Sequence, residues 1–174
     1  MHLGEYLEKR KVTDNVIEDD TRNILHMIIG LLTEIDEIMV CKPYEATDEL
    51  GDIYWYIYKP LSVNANILNT FRKFNKLHDI DTDLSLREIK SKALDSYKKV
   101  RYQEHKLNVK RKDGYTHLQV FKILLKACID IAQNKASIFG LSRSHILAAN
   151  IRKLSKRYDD GEFNKKLSMQ RVSN

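Results

Sequence analysis

Between Arg22 and Met39 the chain is apolar on nearly every side of a helix. Ile24, Leu25, Met27, Ile28, Ile29, Leu31, Leu32, Ile35, Ile38 and Met39 leave almost no polar stripe. A helix that is apolar all round must be buried among others, so this segment demands a bundle built around it. Lys42-Pro43 ends it, because the residue before proline avoids helical dihedrals; Asp20 or Thr21 can cap its start. A second helix is expected from about Tyr44 to Pro60, with Leu50, Ile53, Tyr54, Trp55, Ile57 and Tyr58 as its apolar set.

Further along, Leu61 to Leu77 reads as a less regular helical stretch, and Asp79 to Asp83 as a turn. Ser85-Leu86-Arg87-Glu88 has the spacing of a capping box and predicts a helix with Leu86, Ile89, Ala93, Tyr97 and Val100 on one face. Another runs from about Thr116 to Phe139 and closes at Gly140. The last starts at Ser142 or Ser144 and reaches about Tyr158, leaving a polar tail. No segment alternates as a strand does, and 6 Gly and 2 Pro in 174 residues leave little punctuation for hairpins. The expected fold class is all-α, as one domain over residues 1–174.

No window approaches 18 uninterrupted apolar residues, and the first residues lack the basic-then-apolar order of a signal peptide. Cys41 and Cys128 are too few for a metal tetrad or a disulfide framework. The expectation is a soluble, cytoplasmic protein without membrane association.

The charge is divided. Residues 1–58 hold 5 Lys/Arg and 13 Asp/Glu, a net −8, while the remainder carries +14 of the overall +6. Such a split suits a fold that meets both a cation and an anionic ligand, although two solvated faces would produce it equally.

Four of the acids form two pairs. Glu34 and Glu37 lie on the first apolar helix, Glu49 and Asp52 on the second. Each pair is spaced i, i+3, which puts its Cβ atoms roughly 5–6 Å apart on one face. Two helices joined by a short turn would bring the pairs together. Burying four anions costs several kcal/mol apiece unless a cation or proton compensates, and oxygen-only ligands select a hard divalent ion, Mg²⁺ or Mn²⁺. The alternative is that these acids simply face solvent. Asp79, Asp81 and Asp83 resemble the start of a calcium loop, but Leu84 and Lys90 stand where that loop requires Gly and Glu.

The string from Leu25 through Glu34-Ile35-Asp36-Glu37, followed by Asp48-Glu49-Leu50-Gly51-Asp52-Ile53-Tyr54-Trp55-Tyr56, resembles the MazG-like family of all-α nucleoside triphosphate pyrophosphohydrolases. That family's signature is E-x-x-E, a spacer, then E-x-x-D. Asn150-Ile151-Arg152-Lys153-Leu154-Ser155-Lys156-Arg157-Tyr158-Asp159-Asp160-Gly161 is similar to its N-x-x-K-L-x-x-R-Y-x-x-G ending. The spacer of eleven residues is short, and about 80 residues separate the two motifs. The segment from about Asn64 to Tyr115 therefore reads as a helical insertion into the bundle.

The resemblance implies cleavage of a nucleoside triphosphate to monophosphate and pyrophosphate by a homodimer or homotetramer. It implies Glu34, Glu37, Glu49 and Asp52 as ligands of Mg²⁺ or Mn²⁺; of these, Glu37 is taken as the carboxylate that orients or deprotonates the attacking water. Tyr56, Asn150, Lys153, Arg157 and Tyr158 fall where nucleotide contacts are expected. His26 is either a hydrogen-bonded core histidine or a base-pocket contact, and Trp55 either core or a stacking platform. A rival reading comes from residues 86–112, where ten Lys/Arg stand against three Asp/Glu with Tyr97 and Tyr102 among them. That segment could track a nucleic-acid backbone or dock a protein partner, leaving the acidic motif structural.

Overall fold

The computed structural model describes residues 1–13, 19–59 and 83–157. Among these the fold is all-α: α1 (Leu3–Thr13), α2 (Asp20–Val40), α3 (Ala46–Ile57), α4 (Leu86–Tyr102), α5 (His117–Ile138) and α6 (Arg143–Arg157). The expected helical stretch 61–77, the turn after it, Tyr158 and the polar tail lie outside the described residues. None of the helices searched is long and apolar enough to cross a membrane.

The helix ends follow from local chemistry. Asp19, not Asp20 or Thr21, caps α2, its carboxylate accepting from Arg22 N at 2.9 Å. Cys41 then turns extended (ψ 152°) ahead of Lys42-Pro43, and α2 stops. Ser85 and Glu88 form the expected capping box on α4, and Thr116 and Gln119 form another on α5. Beyond α5, Gly140 adopts φ +65° while Gly140 N and Leu141 N reach back to Ser137 O and Ala136 O. These bonds satisfy carbonyls that the helix end would otherwise orphan, which is why glycine stands there.

α2 is the hub. Ile24, Ile28, Leu31, Ile35 and Ile38 are fully buried, and α2 packs against α3, α4 and α5. Its burial is not all-round: Met39 and Val40 are exposed at the last turn, as are Thr33, Asp36 and Glu37 before it. α6 lies along α3, and α1 lies along α6. The short α1 was not expected from the sequence; its apolar contribution is one narrow stripe, Leu3, Tyr6 and Leu7, of which Tyr6 is fully buried. α4 pairs with α5 and buries Ile89, Ala93, Ser96 and Val100.

Candidate metal centre

The α2–α3 hairpin folds about Pro43 with a fixed register. Gly30 meets Tyr56, Glu34 meets Asp52, and Glu37 meets Glu49. The members of each couple lie equally far on either side of Pro43, by thirteen, nine and six residues. A constant midpoint is the mark of an antiparallel pair, and it turns two i, i+3 spacings into one carboxylate cluster. One carboxylate oxygen each from Glu34, Glu49 and Asp52 lies within 4.8 Å of the others. All three side chains are half-buried.

Glu37 differs from the other three. It is exposed at the rim, within hydrogen-bonding reach of Glu49, and outside the group of three. Asp36 points away, as its spacing requires, and pairs with Lys90 of α4.

The cluster is under electrostatic stress. Desolvation, then the charges of Asp52, Glu37 and Glu49, push the Glu34 carboxyl up to about 8. Desolvation and the neighbouring Glu37 and Asp52 also raise Glu49, and the ammonium of Lys153 opposes the shift at both. Three carboxylates this close, two of them resisting ionisation, are a donor set suited to a hard divalent cation.

α6 supplies the rest of the surroundings. Lys153 Nζ lies 2.5 Å from Asp52 Oδ2 and 3.5 Å from the Asp48 carbonyl oxygen. Asn150, fully buried, donates from Nδ2 to Asp52 Oδ1 at 3.2 Å and accepts at Oδ1 from the Tyr6 hydroxyl at 2.9 Å. Gly51 permits this approach: a β-carbon there would stand 3.0 Å from Asn150 Cβ and Nδ2. Asn150 and Lys153 thus meet the cluster itself, and Arg157 follows one turn further along the helix, half-buried. Tyr6 had no signal in the sequence, since 144 residues separate it from Asn150.

His26 lies about two turns before Glu34 on α2, and Tyr56 one turn after Asp52 on α3. Their rings are 5.6 Å apart and edge-on, and Trp55 lies 6.1 Å from His26. Trp55 is engaged by cations: the Arg10 guanidinium sits 4.4 Å from the ring centroid and Lys59 Nζ 5.2 Å, with Arg10 Nε donating to Trp55 O at 3.1 Å. Both cations are fully buried, while Trp55 itself is half-buried.

Part of the basic segment is paired with acids of the fold. Lys90 pairs with Asp36, Lys92 with Asp113, Lys99 with Asp95, and Arg111 with both Asp95 and Asp113. Burial alone would raise Asp113, yet the hydrogen bonds from Lys92 and Arg111 hold it at about 2. Arg111 also donates to Ser96 Oγ at 2.5 Å and to the Lys92 carbonyl, which fastens the 103–115 loop to α4. Four of the ten cations in 86–112 are therefore committed within the fold.

No family model, curated protein or solved structure matches this chain.

Proposed function

We propose that the chain is a divalent-metal-dependent nucleotide pyrophosphohydrolase of the MazG-like kind, with Mg²⁺ or Mn²⁺ held by Glu34, Glu49 and Asp52. The observation that supports the reading is the approach of these three carboxylates to within 4.8 Å across the α2–α3 hairpin. Clustered, half-buried anions are costly to the fold, and a bound cation gives that cost a purpose.

A hard divalent ion in such a site supplies charge neutralisation for phosphate oxygens and a more acidic bound water. The protein's own groups divide the remaining work. Glu37, exposed beside the cluster, accepts at a carboxylate oxygen the proton of the water that attacks the α phosphorus. The bond between that phosphorus and the bridging oxygen breaks, and pyrophosphate leaves with the oxygen. Lys153 and Arg157, spaced i, i+4, face the polyphosphate with their charges. His26 and Tyr56 contact the nucleoside, and the oligomer implied by the resemblance, a homodimer or homotetramer, belongs to the same proposal.

The test is a panel of nucleoside triphosphates with Mg²⁺, with products identified by mass. Monophosphate plus pyrophosphate is expected. Diphosphate plus inorganic phosphate as first products, or no turnover of any triphosphate, would exclude this activity.

A further inference from the structure

We propose that Lys153 is the built-in counter-cation of the metal-free carboxylate site, exchanging with a divalent ion for Asp52. The inference rests on the metal site of the proposed function and assigns α6 a regulatory part in it.

Both oxygens of Asp52 are occupied from α6. Oδ2 takes the Lys153 ammonium at 2.5 Å, and Oδ1 takes the Asn150 amide at 3.2 Å. An ammonium paired with Asp52 and within electrostatic reach of Glu34 and Glu49 is itself a stand-in for a cation, and it identifies where positive charge is wanted. One positive charge against Glu34, Glu49 and Asp52 leaves the cluster under-compensated.

The two α6 residues differ in freedom. Asn150 is fully buried and held at its far end by the Tyr6 hydroxyl, so it fixes the Asp52 carboxylate in either state. Lys153 reaches the site on a flexible four-carbon stem and keeps some solvent access, its side chain 17% exposed. A divalent ion held by Asp52 would face the ammonium as a like charge across one carboxylate. The ammonium then withdraws, and its charge becomes available to an anion approaching the same face. Metal-free protein is thereby protected from the repulsion of its own acids, and metal binding arms the phosphate contact.

Coupling of this kind is reciprocal and commonly amounts to five- to 150-fold in affinity. Calorimetric titration of the full chain with Mn²⁺, without nucleotide, measures it. Lys153→Met should bind Mn²⁺ about tenfold more tightly than the wild type and melt earlier in chelator. Lys156→Met, an exposed lysine on the same helix, should stay within about twofold of the wild type because its charge is screened. Amine labelling of the wild type, mapped by mass spectrometry, needs no variant: Lys153 should become more reactive when Mn²⁺ is added. Unchanged or weaker binding by Lys153→Met, an equal gain from Lys156→Met, or unchanged Lys153 labelling would overturn the exchange while leaving the metal site standing. Absence of Mn²⁺ binding by the wild type would overturn the metal site and the exchange with it.

Discussion

Tyr56 leaves no room for a β-carbon on Gly30: one built there would fall 2.2 Å from Tyr56 Cζ. Helix propensity alone favours alanine over glycine at an interior position by about 1 kcal/mol. The contact reverses the sign, since overpacking costs about 1–3 kcal/mol. We expect Gly30→Ala to destabilise the protein in urea melts. In a Tyr56→Ala background the same change should cost much less, and equal costs in both backgrounds would rule out the contact as the cause.

Stability of the metal-free protein should fall with rising pH. The folded state holds the Glu34 proton up to about pH 8, whereas the unfolded chain releases it near the ordinary 4.5. Between those values the native state binds more protons, so stability is full below about 4.5 and is lost as pH rises through 8. Because the cluster is partly open to solvent, we expect a loss of about 1–2 kcal/mol, a melting shift of a few degrees. Glu34→Gln should flatten this profile, as should added Mg²⁺. A metal-free protein equally stable at pH 5 and pH 8.5 would contradict it.

Turnover should depend on Glu37 and Asp52 in different ways. Removing the proton acceptor with Glu37→Gln should lower the rate by about 10²–10⁴-fold while Mn²⁺ binding persists. Asp52→Asn should weaken Mn²⁺ binding and turnover together. A rate near that of the wild type in either purified variant would remove that residue from the site.

Tyr6→Phe should act at a distance. It leaves Oδ1 of the buried Asn150 without its 2.9 Å bond from the hydroxyl, a loss of about 1–2 kcal/mol. Melting should drop by a few degrees, and Mn²⁺ affinity should fall because Asn150 holds Asp52. A stability loss with unchanged Mn²⁺ affinity would confine Tyr6 to packing.

Duplex DNA should bind weakly. Each phosphate contact adds about 0.9 to the slope of log affinity against log salt, but four cations of the basic segment are spent on internal ion pairs. We expect at most non-specific affinity of about 10⁻⁴–10⁻⁶ M at physiological salt. Tight binding that Lys98→Glu/Arg101→Glu abolishes, without triphosphate turnover, would put nucleic-acid binding first.

The sequence by itself determined what is decided within one or two turns. Ser85 with Glu88, Gly140 after α5, and Lys42-Pro43 after α2 act on backbone groups no more than about four residues away, so their effects can be read locally. The i, i+3 pairs of acids belong to the same class, since helical geometry alone puts each pair on one face. Tertiary packing decided the rest. Nothing local shows that Glu37 stays at the rim while Glu34 is desolvated, because that depends on which side of α2 receives α3 and α5. The arrival of Asn150 and Lys153 at Asp52, and of Tyr6 at Asn150, joins residues about a hundred or more positions apart. So does the pairing of Lys90 with Asp36 across 54 residues, which ties one cation of the basic helix to α2. Charges and hydroxyls carry no periodic signal for such distant partners; only the buried apolar faces, by fixing how the helices lie, choose them.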